Sequence, residues 1–234
     1  ALASSWDLGL VEQVGIAMGK EAQAGNVQFI LGPGVNMKRD PRGGRNFEYF
    51  SEDPVLSGNL AAAFINGLQS QGVGASLKHF AVNNQEFARM YYSSELDERT
   101  LREIYLPAFE MAIKQSQPWT VMCSYNPVNG VYAAENPYLL HQILKEEWRL
   151  EGIVVSDWGA VNDRPAGIDA GMHLEMPSSG SPNVHKVISA VQAGELDESR
   201  LDEIVAELLA LILYAHEQRQ PEMVVPFPEH HQLA

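Results

Sequence analysis

The chain has 234 residues, 45% of them hydrophobic and 20% charged, enough to bury the core of one large α/β domain or two small ones. Its formal net charge of −14 argues against nucleic acid and anionic membranes as partners and suits a neutral or cationic small molecule. No stretch approaches the roughly 18 consecutive apolar residues of a membrane span, and the single cysteine, Cys123, excludes an internal disulfide and any cysteine-based zinc site.

Apolar spacing at Leu10, Val11, Val14 and Met18 predicts a first helix over residues 6–24, with Gly25 in the position of a C-terminal cap. Residues 27–31 read as a strand, followed by a loop rich in Gly, Pro and Arg over 32–50. Asp53-Pro54 has the form of an N-cap with proline at the first helical position, and its helix extends to about residue 71. The pattern then repeats. A strand over 75–80 leads through a polar loop to residue 94, and Asp97 starts a helix with Leu101, Ile104, Ala108 and Met111 on its inner side. Pro107 is expected to kink or divide that helix. Further strands are expected at 120–124 and 152–155, with a short fifth at 171–174. Asn136-Pro137 caps a helix carrying Leu140, Ile143, Leu144 and Trp148. The last helix, over 199–216, has Leu201, Ile204, Val205, Leu208 and Ile212 at helical spacing. Residues 1–218 thus read as one domain of alternating strands and helices, and 219–234, rich in Pro, Glu and His, as a linker. With no basic leader at Ala1-Leu2-Ala3, no signal peptide is visible, which leaves the compartment open, periplasmic and secreted locations included.

Polar residues crowd just after each strand: Arg39 and Arg45, Lys78 and His79, Tyr125 and Asn126, Asp157 and Trp158. In a (β/α) barrel the C-terminal strand ends converge on one mouth, where catalysis takes place. Asp157 follows an apolar run, so its charge is partly desolvated unless cations answer it, and Arg45, Lys78 and His79 are the available answers. A carboxylate so held can attack an electrophilic carbon, with Trp158 as a flat apolar wall. The alternative is an N-cap or a loop carboxylate in a salt bridge. Lys78 and His79 bring donors for hydroxyl groups, although alone they read equally as a surface charge and a core histidine. Met122 is either strand packing or a residue of the pocket. The other histidines, His173 among them, lack ligand spacing and read as structural or solvent-facing. Gly32, Gly34, Gly43 and Gly44 match neither a dinucleotide fingerprint nor a phosphate loop.

Several motifs together resemble the N-terminal domain of glycoside hydrolase family three. They are Gly32-Pro33-Gly34-Val35-Asn36, Gly43-Gly44-Arg45-Asn46-Phe47-Glu48, Lys78-His79-Phe80-Ala81-Val82-Asn83-Asn84-Gln85-Glu86, Met122-Cys123-Ser124-Tyr125-Asn126 and Val155-Ser156-Asp157-Trp158-Gly159-Ala160. The resemblance implies a TIM-barrel-like α/β domain, incomplete in this chain, with Asp157 as nucleophile. Arg45, Lys78 and His79 then bind sugar hydroxyls, with Tyr125 and Trp158 beside the sugar and Met122 at its edge. It further implies a retaining β-glucosidase without cofactor, acting on a neutral β-glucoside or cello-oligosaccharide. The remaining segments of the same enzyme are expected to supply the first strands and the acid/base. β-Xylosidase or broad exo-glycosidase activity, a non-catalytic sugar-binding remnant, and a barrel enzyme using phosphate or metal are the competing readings. A retaining reaction requires a second carboxyl about 5–5.5 Å from the first, and none of Glu86, Glu135, Asp163 or Glu175 sits in a motif that recommends it.

Overall fold

Five aspartates start helices by accepting backbone N–H bonds, which spends part of the acidic composition on local structure. In the computed structural model, which describes residues 1–234, Asp7 caps α1 (Leu8–Ala24), Asp53 caps α2 (Pro54–Gln69) and Asp97 caps α3 (Glu98–Thr100). After α4 (Pro107–Ser116), Asp163 caps α5 (Arg164–Ala170). Helix α6 (Ser181–Ala193) lacks a side-chain cap, Asp197 caps α7 (Glu198–Glu217), and α8 (Phe227–Leu233) ends the chain. None of these helices is long and apolar enough to cross a membrane.

The strands are β1 (Phe29–Ile30), β2 (Gly74–Phe80), β3 (Thr120–Cys123), β4 (Pro127–Val128), β5 (Val131–Tyr132) and β6 (Ile153–Ser156). β4 and β5 form a small antiparallel hairpin, and the other four make one parallel sheet in the order β1-β2-β3-β6. Each new strand is added on the same side of the last, so the crossovers wind one way, as in an arc of a (β/α) barrel. Side chains alternate between the faces. Ala75, Leu77, Val121, Cys123 and Val154 join the main core under the helices. Met122, Ile153 and Val155 face the other way and meet Met176, Leu208 and Leu211. There an apolar groove stays open between Phe29, Leu31, Leu174 and Ile212. The fifth strand expected at 171–174 is only a bridge, Val155 to Leu174.

The first helix differs from its expected face. Its buried residues are Val11, Gly15, Gly19, Ala22 and Gln23, while Met18 is exposed. α1 and α2 touch so closely that a Cβ on Gly15 falls 2.5 Å from the Phe64 carbonyl, and one on Gly67 falls 2.2 Å from that of Glu12. Small residues carry this interface, and they leave no mark in a pattern of large apolar ones. Gly25 is the C-cap as expected, with an ordinary φ of −79°, and the left-handed residue is Asn26 after it.

Pro107 divides its helix as expected, through a π-helical stretch over Leu101–Tyr105 in which Leu106 N bonds Leu101 O at 3.0 Å. The wider turn rotates the face, burying Tyr105, Leu106, Phe109 and Ile113 and exposing Ile104. The helix capped by Asn136 is also π-helical, Tyr138–Glu147. Helices α5 and α6 are additions to the expected elements: α5 is short, and α6 buries only Ala190. On α7 the buried residues are Ile204 and Ala215, and Val205 and Ile212 are exposed. Residues 219–234 include α8 and are tied back by His230 Nδ1 to Glu21 at 2.6 Å and by Gln220 N to Gln23 Oε1 at 2.9 Å.

Alanine exceeds glycine in helix propensity by about 1 kcal/mol, but forcing a methyl into a packed interface costs about 1–3 kcal/mol. At Gly67 the obstruction is backbone, so the clash wins. Gly67→Ala is expected to lower stability by about 1–2 kcal/mol in urea denaturation, and an unchanged or higher midpoint shows that the helices part freely.

Candidate active site

β6 ends at Ser156 and delivers Asp157 to the rim of the sheet, where only 6% of the residue is exposed. Its backbone N–H donates to Cys123 O at 3.3 Å, and Oδ1 accepts the Trp158 backbone N–H at 2.7 Å. Oδ2 is buried without a hydrogen-bond partner. His79 Nε2 lies 3.6 Å and Arg45 Nη1 4.0 Å from it. An unpaired buried carboxylate oxygen is costly to the fold, so its persistence points to function. One oxygen is anchored and the other is left free, an arrangement suited to attack on an electrophilic carbon.

Lys78 and His79 are consecutive, and in a regular strand they point to opposite faces. The pairing of β2 with β3 slips between Leu77 and Phe80, and both side chains reach the loop that follows β1. Lys78 Nζ pairs with Glu48 Oε2 at 3.4 Å, and Glu48 also pairs with Arg45. Burial pulls Glu48 upward, but its bonds to Arg45 and Lys78 hold it below the ordinary carboxylate range.

His79 is clamped on every side. Asn36 accepts its backbone N–H at 2.7 Å and donates to its carbonyl at 2.9 Å. Arg45 Nη2 meets Nε2 at 2.9 Å, and guanidinium nitrogens only donate, so Nε2 is the acceptor. The ring proton is therefore on Nδ1, facing Tyr49 Oη at 3.1 Å and Asn36 Oδ1 at 3.4 Å. Burial, followed by the charges of Arg45, Lys78 and Arg89, lowers its pKa to about 2. The sequence suggested three cations for Asp157. Of these, His79 is neutral, Lys78 pairs with Glu48, and Arg45, which also pairs with Glu48, is the full charge that comes within 4.0 Å of Asp157.

Of the other residues singled out from the sequence, Tyr125 is buried, and burial with the nearby Asp157 charge pushes its phenol up to about 12. Trp158 is 48% exposed, its ring open to solvent. Met122 is packed against Ile153 and Val155. Arg39 bonds the Tyr105 hydroxyl, away from this cluster. Sequence reasoning missed Arg89, whose guanidinium lies 4.6 Å from the Tyr125 ring centroid while pairing with Glu86 at 2.7 Å. It also passed over Glu48, Tyr49 and Asn36 as members of the site, although each stands in a quoted motif or next to one. The remaining carboxylates are committed elsewhere. Glu135 accepts from Asn162 and Asp163 N–H, Asp163 caps α5, and Glu175 accepts from Asn183.

The folded pKa of His79 lies below its unfolded value of 6.5, so the fold prefers the neutral ring. Its contribution is complete above pH 6.5 and is lost as pH falls toward 2, by up to about 1.4 kcal/mol per pH unit. His79→Gln is expected to lose stability less steeply than the unsubstituted protein between about pH 6.5 and 5 in urea unfolding. Parallel slopes mean that the ring titrates normally in the fold.

Known proteins are similar to this chain in sequence and in structure. The thermostable beta-glucosidase B of Acetivibrio thermocellus is 56% identical over 233 residues, spanning 100% of this chain and 31% of that protein. An exo-alpha-(1->6)-L-arabinopyranosidase of Bifidobacterium breve is 50% identical over 211 residues, 90% of this chain and 28% of its own. The structure of beta-glucosidase 3B from Thermotoga neapolitana in complex with alpha-D-glucose matches with a TM-score of 0.95 at 42% identity, over 99% of this chain and 34% of that one. The chain thus spans about a third of the length of these relatives. The glycosyl hydrolase family 3 N terminal domain matches residues 1–211, and the chain belongs to that family.

Proposed function

We propose that the protein is a retaining exo-acting β-glucosidase that removes terminal β-D-glucosyl residues through a glycosyl-enzyme intermediate on Asp157. The observation that carries this reading is the buried, unpartnered Oδ2 of Asp157 among Arg45, His79 and Tyr125. In the first step Oδ2 bonds to the anomeric carbon as the aglycone oxygen leaves with its electron pair and takes a proton from an acid. Water then attacks the same carbon, releases the carboxylate and restores the original configuration. Arg45 and Lys78 offer N–H donors to sugar hydroxyls, and the exposed Trp158 ring offers an apolar face to sugar C–H bonds. The local carboxylates are all committed to structural bonds, so the acid/base comes from a part of the enzyme outside these residues. The beta-glucosidase relatives support the glucosyl specificity.

A second reading is favoured by the 50% identity to an arabinopyranosidase. An α-L-arabinopyranoside lacks the C6 hydroxymethyl group of a β-D-glucoside and carries its C4 hydroxyl in the opposite configuration, so the two readings differ in what the site accepts around C4 and C5. The ratio of kcat/KM for aryl β-D-glucoside and aryl α-L-arabinopyranoside decides between them, glucoside being expected to lead.

In the intact enzyme, Asp157→Ala is expected to lower kcat on an aryl β-D-glucoside by at least about 10³-fold. A 2-deoxy-2-fluoro-β-glucoside is expected to label the peptide containing Asp157, with β-glucose as the first product seen by NMR. Label on another carboxylate, or turnover unchanged in the variant, removes Asp157 from the nucleophile's role.

A further inference from the structure

β6 carries Asp157, yet only one of its edges is held by a regular strand. On the β3 side the register runs from Thr120↔Ile153 to Cys123↔Ser156. On the other side the backbone offers a bridge at Val155↔Leu174, with His173 N and Leu174 N both donating to Val154 O and Ser156 N donating to Leu174 O at 2.9 Å, and the Ser156 hydroxyl accepts from Met176 N at 2.7 Å. The N–H of Val154 finds no carbonyl there. It donates instead to the imidazole of His173, whose Nδ1 lies 3.0 Å away.

That ring is fixed from behind. Its Nε2 meets Glu207 Oε2 on α7 at 2.6 Å. Because Nδ1 accepts from a backbone N–H, Nε2 bears the proton and donates it to the carboxylate. The same Glu207 oxygen takes Lys145 Nζ at 2.9 Å, and Lys145 also donates to Gly152 O at 3.0 Å. The path therefore leaves the sheet at Gly152, passes through Lys145, Glu207 and His173, and returns at Val154. His173 itself is buried, and burial keeps its ring neutral against the pull of Glu207. A protonated ring has no acceptor left for Val154.

We infer that Lys145, Glu207 and His173 form a positioning relay that fixes β6 at Val154, the one point on this edge where its N–H meets no carbonyl, and, through it, the placement of Asp157. This rests on the reading of Asp157 as the nucleophile. Val154 stands three residues before Asp157 on an extended segment, and a reacting group misplaced by about 1 Å can cost about 10²-fold in rate. The side-chain bonds of the three residues run to one another and to the backbone of Gly152 and Val154, so the relay is expected to act on kcat and leave KM nearly alone.

The two amide isosteres of histidine separate this role from simple packing. In His173→Asn the side-chain oxygen reaches the place of Nδ1 and keeps an acceptor for Val154. In His173→Gln the longer side chain reaches toward Glu207 and leaves Val154 unpaired. In the intact enzyme, His173→Gln is expected to lower kcat by about tenfold or more with KM within about twofold, and His173→Asn to retain most of kcat. Rates are taken per active site, counted by the fluoro-glucoside burst, and each variant's melting temperature is recorded. Should His173→Gln fail to fold, Glu207→Gln, which keeps a partner for the ring and loses the charge that holds Lys145, is expected to lower kcat about threefold with KM unchanged. The inference is overturned if kcat per active site is unchanged in whichever of these folds, or if His173→Asn and His173→Gln lose kcat equally. Asp157→Asn serves as the control. A dead control beside an unaffected His173→Gln overturns the relay alone, and an active control overturns the nucleophile reading.

Discussion

A carboxylate withdrawn from water must be compensated, and the residues around Asp157 are arranged by that requirement. One of its oxygens is held by the Trp158 N–H, and the nearest full charge, Arg45, stays 4.0 Å from the other. The wider cluster is balanced, with Arg45, Lys78 and Arg89 as cations and Asp157, Glu48 and Glu86 as anions. A protonated His79 breaks that balance. Its neutrality follows from burial first and from the three cations second. On the proposed reading an uncharged sugar enters such a cluster without disturbing the charge balance, which agrees with the reading drawn from the negative net charge of the chain.

The fold brings these groups together by winding in one direction. Because β1, β2, β3 and β6 follow one another across the sheet, the loops after them lie along one rim. The loop after β1 brings Arg45, Glu48 and Tyr49, the irregular end of β2 brings Lys78 and His79, and the ends of β3 and β6 bring Tyr125 and Asp157. The helices that support this arc pack tightly, as the glycine contacts between α1 and α2 show. At the end of β2, where the register with β3 slips, two consecutive residues serve the same site.

Much of this was legible because it follows short-range rules. Strand ends, aspartate caps and the proline break each leave a local mark, and the polar residues after four strands stood out against apolar runs. What escaped detection depends on contacts that have no local pattern. Arg89 sits in a polar loop without periodicity, and its stacking on Tyr125 joins residues far apart in the chain. The π-helical turns shift buried faces by a residue, so Ile104 faces outward where spacing put it inside. His173 read as an ordinary structural or surface histidine because its partners, Lys145 and Glu207, lie on other elements.

A retaining glycosidase divides its work between two carboxyl groups, and on the proposed reading this chain presents the half that must stay still. The acid moves a proton to a departing oxygen. The nucleophile forms a bond to carbon along one line, so its position is exacting. Asp157 meets that demand from three directions. Cys123 O holds its backbone, the Trp158 N–H holds one oxygen, and the strand behind it is fixed on one edge by β3 and on the other by the Leu174 backbone together with the imidazole of His173. The oxygen that remains unpartnered is therefore aimed by the surrounding fold, and its unmet hydrogen-bonding capacity is what a reacting carbon encounters.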